Sequence, residues 1–147
     1  MQLSIRVDGV LVRKGLQDLT AEIPKIGRRQ IYDAMNRITR KMEAYPPERP
    51  LQKYVRTGRL GFSWWVKRLD DGYTISNDVR SIRTGKPYAV YVVGDAYGTR
   101  QAWMHVGRWL VFRDVVDVEM ERLPGGVAKQ IVMVARRKGF EAQEVPG

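Results

Sequence analysis

The chain has 147 residues, of which 44% are hydrophobic and 29% charged, a globular composition with length for one domain and its core but not for two ordinary ones. Cysteine is absent and His105 is the single histidine, which excludes disulfides, thiolate metal sites and histidine-rich metal sites. The 26 Lys plus Arg against 16 Asp plus Glu give a formal charge of +10, a surplus that suits a nucleic-acid, phosphate or acidic-protein partner without dictating a fold.

In chain order, Leu3, Ile5 and Val7 alternate with polar neighbours, the period of a half-buried strand. Asp8-Gly9 then reads as a turn and Val10-Leu11-Val12 as a short return, a strand or hairpin within 1–15. No signal-peptide pattern opens the sequence and no segment reaches the roughly 18 apolar residues of a membrane span. The expectation is a soluble protein made in the cytoplasm, with no membrane partner.

Helical periodicity begins at Leu16 and is interrupted by Pro24, which fits the first turn of a second helix over about 24–44. Ile31, Ala34, Met35, Ile38 and Met42 fall on one face of that helix, and Lys25, Arg29, Asp33, Asn36, Arg37 and Arg40 on the other. The prolines of AYPPERP end it, and a loop runs to about residue 58.

A sheet is expected over 59–109. Phe62, Trp64 and Val66 alternate with Ser63, Trp65 and Lys67, Asp70-Asp71-Gly72 is a hairpin turn, and Tyr73 and Ile75 continue on the return strand. VRSIRTGKP at 79–87 reads as a basic loop, YAVYVV at 88–93 as a strand, and GDAYGTRQ as a turn-rich loop. Helices over 110–138 follow, the first with Phe112, Val116, Met120 and Leu123 along one line and the acids Asp114, Asp117, Glu119 and Glu121 mostly elsewhere. Pro124-Gly125-Gly126 breaks the chain, a last helix turns Val127, Ile131 and Val134 inward with Gly139 as its cap, and 139–147 is a polar tail.

Few residues offer chemistry. His105, set among Met104, Val106 and nearby tryptophans, reads as a packed, hydrogen-bonded histidine before a catalytic one. Asp70 and Asp71 are turn residues, and Asp114 and Asp117 lie three apart on a helix with no further metal ligand evident. RTGRLG at 56–61 leads into a strand-like run, not a helix, and lacks the ending of a nucleotide loop. Trp64, Trp65, Tyr88 and Tyr91 could stack on bases beside Arg56, Arg59, Lys67 and Arg68, but aromatics in a sheet are more often core. No catalytic, cofactor or metal site is expected, and the chain does not read as an enzyme.

An amphipathic basic helix, then Thr57-Gly58-Arg59-Leu60 with Ser63 opening a hairpin, then Tyr88, Ala89, Tyr91, Val92 and Gly94, and a closing helix stand in this order over about 20–138. This order resembles the neck and tail-completion proteins of tailed bacteriophages, also described as minor tail or tail-component proteins. The chain departs from that pattern at Val93, where a glutamate often precedes the glycine, and at Trp103 to Val106, where a proline-led segment is usual. The resemblance implies an α+β fold of one domain, a small antiparallel sheet packed against a long helix of the N-terminal half and C-terminal helices. It further implies a virion protein without catalysis or cofactor, forming a hexameric or dodecameric ring between connector and tail tube, with neighbouring connector and tail-tube proteins as partners.

The charge pattern fits that role. A basic face at 25–41 and an acidic helix at 110–123 could pair head-to-tail between copies, and spare cations could touch packaged DNA without reading sequence. The expected contact residues are Lys25, Arg29, Arg37, Arg40, Arg56, Arg59, Arg80, Arg83 and Lys86 on the basic side, and Asp114, Asp117 and Glu121 on the acidic side. The competing reading is a small basic nucleic-acid-binding protein of a mobile element.

Overall fold

The structure is a computed structural model that describes residues 2–6, 12–48, 50, 57–95, 100–138 and 140–145. It is mixed α+β: β1 (Gln2–Arg6), α1 (Val12–Glu43), α2 (Arg59–Phe62), β2 (Trp64–Arg68), β3 (Tyr73–Asn77), α3 (Ala89–Val93), a 3-10 turn (Trp103–His105), α4 (Phe112–Arg137) and β4 (Glu141–Val145). The strands make two separate antiparallel pairs, β1 with β4 and β2 with β3. The chain divides into two compact units, one of Met1–Ala34 with Met120–Gly147 and the other of Met35–Glu119.

In the first unit the expected N-terminal strand is present, but its partner is the far end of the chain. β1 pairs with β4 in the register Leu3↔Glu144 and Ile5↔Ala142, so the segment expected as a polar tail is a strand. Val12 belongs to α1 and not to a return strand; the Asp8-Gly9 turn lies outside the described residues. Leu19, Val132, Ala135 and Phe140 form the core, with Val134 packed against it. Phe140 enters that core through the end of α4: its N–H donates to the Ala135 carbonyl at 3.0 Å, a bond spanning six residues that folds the chain back over the last turn. Gly139, the expected cap, lies outside the described residues.

Pro24 and Pro124 both lie inside continuous helices, contrary to the breaks expected at each. A proline removes one i→i−4 bond. Both prolines are exposed, and buried positions at helical spacing flank them, Leu19 and Ile26 in α1 and Val115, Glu119, Ala128 and Ile131 in α4. Packing of the stripe outweighs the local loss.

In the second unit the end of α1 buries Ile38 and Met42, as its periodicity predicts. The hairpin β2–β3 is also as expected, in the register Trp64↔Asn77 and Val66↔Ile75, closed by a bond from Leu69 N–H to the Gly72 carbonyl at 2.9 Å. Its approach differs. Residues 59–62 form a helical turn, so Leu60 is buried there and Phe62 is 90% exposed instead of lining a sheet face. Gly58 has a left-handed φ of 72°, and a Cβ on it would stand 2.6 Å from the Phe62 ring. Gly61 is buried, donates its N–H to the Tyr45 hydroxyl at 3.2 Å, and leaves no room for a Cβ, which would meet the Glu43 carbonyl and the Tyr45 ring at 2.9 Å each.

The segment expected as a strand at 88–93 is the short helix α3. Ala89, Val92 and Val93 are buried, a spacing of three and four that only a helix turns to one side. The β-branched composition favoured a strand, and tertiary burial overrode it. Gly94 ends α3 at φ 72°, returning its N–H to the Val90 carbonyl. At the start of α4 the buried positions are Val115 and Glu119, one residue short of the expected line through Val116 and Met120.

Candidate functional site

Glu119 is fully buried and carries two cations. Arg37 Nε donates to its Oε2 at 2.7 Å and Lys41 Nζ to its Oε1 at 2.8 Å. Arg37 and Lys41 are one turn apart on α1, so both reach a single carboxylate. Burial alone would raise the carboxyl pKa, but the hydrogen bonds and charges of Lys41 and Arg37 outweigh it and hold the group below the ordinary glutamate range. The acidic and basic helices therefore meet within one chain at this point, and the Nε of Arg37 is engaged there while 44% of its side chain stays exposed.

The other expected contact residues are dispersed. Lys25 and Arg29 belong to the first unit, as does Glu121. Lys25 pairs with Glu22 at 2.8 Å, an exposed pair within α1. In the second unit Arg40 and Arg59 are exposed, and Arg56 lies outside the described residues. Asp117 faces Arg113 at 3.7 Å, with both side chains more than half exposed, and Asp114 is exposed in the first turn of α4.

Arg80, Arg83 and Lys86 sit together on a built loop. Arg80 and Pro87 bridge its base, Ser81 N–H donates to the Lys86 carbonyl at 2.9 Å and Gly85 N–H to the Ser81 carbonyl at 2.8 Å. Arg80 is a strut in this loop, its Nη1 donating to the Gly85 carbonyl at 3.1 Å. Ile82 stands at the tip, 81% exposed. The basic run VRSIRTGKP was the sequence signal for this loop, and the exposed isoleucine at its tip was not read from it.

A second exposed apolar region adjoins α3. Ala102 N–H donates to the Tyr91 carbonyl at 2.8 Å, which holds the 3-10 turn beside α3. Tyr91 is 58% exposed, Trp103 84% and Val106 64%. Gln101 ties the region down from behind, its Nε2 donating to the Val92 carbonyl at 2.8 Å and the Trp109 carbonyl at 3.0 Å.

The aromatic pair of the hairpin is divided between packing and surface. Trp64 stacks on Phe112, with ring centroids 5.5 Å apart, while Trp65 donates Nε1–H to Asp78 Oδ2 at 2.6 Å. His105 packs edge-on against Trp109, and burial, then the charge of Arg108, lower its pKa. Its Nδ1 has no hydrogen-bond partner among the described residues. Among the described residues no group of three or more acidic, histidine or cysteine side chains could hold a metal ion, and no helix is long and apolar enough to cross a membrane.

The class these features define is thus a small, strongly basic α+β protein with a preformed cationic loop and exposed aromatic side chains. No family model, curated protein or solved structure matches the chain.

Proposed function

We propose that this chain is a structural virion protein of the neck or tail-completion type in tailed bacteriophages. It closes as a ring at the junction of connector and tail tube, around the genome path. The observation that carries the reading is the exposure of Tyr91, Trp103 and Val106 beside α3. Large apolar side chains grouped at a surface mark a face that another protein covers. The order of sequence elements resembling the tail-completion family supplies the kind of assembly, and the basic surplus suits a part close to DNA without base readout.

Phage particles from which this gene is deleted test the reading. The expected result is full heads and finished tails that stay unjoined or lose DNA at the neck, rescued by the intact gene. Normal particles, combined with nanomolar and steeply salt-dependent DNA binding by the isolated monomer, would instead favour the nucleic-acid-binding protein of a mobile element.

A further inference from the structure

The loop at 80–87 is ordered by its own hydrogen bonds, including Thr84 N–H to Ser81 Oγ at 3.3 Å and Lys86 N–H to Thr84 Oγ1 at 3.4 Å. It presents an apolar tip, Ile82, beside two cations, Arg83 and Lys86, which have no ion-pair partner among the described residues. A loop already held in shape loses little conformational entropy on docking. A DNA backbone would satisfy the cations but offers nothing to an exposed isoleucine.

The same unit carries the complementary chemistry. On α4, Asp114 and Val118 are four residues apart and Asp117 lies between them at three, so all share one side of the helix. Val118 is 41% exposed, and Leu110, just ahead of the helix, is 52% exposed. Asp114 has no ion-pair partner among the described residues, and the contact of Asp117 with Arg113 is long and solvated. An exposed valine beside two carboxylates matches an exposed isoleucine beside two cations.

We propose that the 80–87 loop of one copy seats on the start of α4 in the next. Ile82 packs against Val118, and Arg83 and Lys86 face Asp114 and Asp117. The two surfaces differ, so the contact is heterologous and propagates from copy to copy, the geometry that closes a ring. This joint rests on the assembly reading above and names the surfaces it uses.

Reciprocal charge reversal tests it, read by sedimentation velocity of the full chain at low and high salt. The wild type associates at low salt. Arg83→Glu with Lys86→Glu, and separately Asp114→Lys with Asp117→Lys, each weaken association by about tenfold or more, since like charges are then opposed. Mixing the two variants, or joining all four substitutions in one chain, restores it. Ile82→Asp weakens it at unchanged circular dichroism. A wild type that stays monomeric alone and with connector and tail-tube proteins removes both the joint and the assembly reading. A wild type that associates, with variants that associate equally well, removes the joint alone, as does reversal at 83 and 86 that abolishes only DNA binding.

Discussion

Arg37 on α1 and Glu119 on α4 are 82 positions apart in sequence, yet the guanidinium Nε lies 2.7 Å from a carboxylate oxygen that is sealed from water. With Lys41 on the other oxygen, the carboxylate is satisfied from both sides, while the cations keep 44% and 40% of their side-chain exposure. The arrangement is therefore asymmetric. Arg37→Ala with Lys41→Ala removes two charged donors to the carboxylate and opens it to solvent, and should cost about 1–3 kcal/mol. Glu119→Leu leaves two cations that can turn to solvent and costs less. Urea unfolding midpoints of the two variants measure the difference.

Acid should destabilise the fold in two steps. His105 has a lowered pKa in the fold, so below about pH 6.5 the unfolded chain binds a proton that the native chain resists. That contribution is present above the unfolded value and is lost as pH falls through the lowered native one. Glu119 is also lowered, and its contribution is lost below about pH 4.3 by the same sign. Thermal melts from pH 8 to 3 should show the first step disappear in His105→Gln and the second diminish in Glu119→Gln.

Three glycines divide by what surrounds them. Gly61→Ala forces a methyl against the Glu43 carbonyl and the Tyr45 ring and should cost about 1–3 kcal/mol. Gly58→Ala should also destabilise, because its φ is positive and the Phe62 ring occupies the space. Gly125 lies inside α4 with nothing within 4 Å of an added Cβ, so Gly125→Ala should stabilise by about 0.5–1 kcal/mol. Melting temperatures of the three variants check the signs.

Phe140 closes the core that Leu19, Val132 and Ala135 begin. Phe140→Ala should cost about 3 kcal/mol or more, read as a lower urea midpoint.

Much of this architecture was legible in the sequence where one face carried one kind of residue. The stripe through Ala34, Ile38 and Met42 is buried as its spacing required, and Asp70-Asp71-Gly72 turns the hairpin that Trp64, Val66 and Ile75 flank. Gly58 takes a left-handed turn and Gly61 a close approach to the Glu43 carbonyl. The misses share a cause, which is that long-range burial overrode local preference. Valines at 92 and 93 went to a helix, prolines 24 and 124 stayed inside helices, and the polar end of the chain became a strand because β1 needed a partner. Of the contact residues, the cations of the 80–87 loop were visible as a basic run. The buried role of Glu119 was not, since an acid in an acidic helix gives no sign that two cations from another helix will enclose it.

The central claim is that this chain works by assembly through surfaces left open in the single copy. Sedimentation velocity over rising concentration, with and without the connector and tail-tube proteins that the proposed role requires, tests it most directly. The account predicts a discrete complex of fixed size, disrupted by Tyr91→Ser with Trp103→Ser while the monomer keeps its circular dichroism. A monomer under every one of these conditions would contradict it.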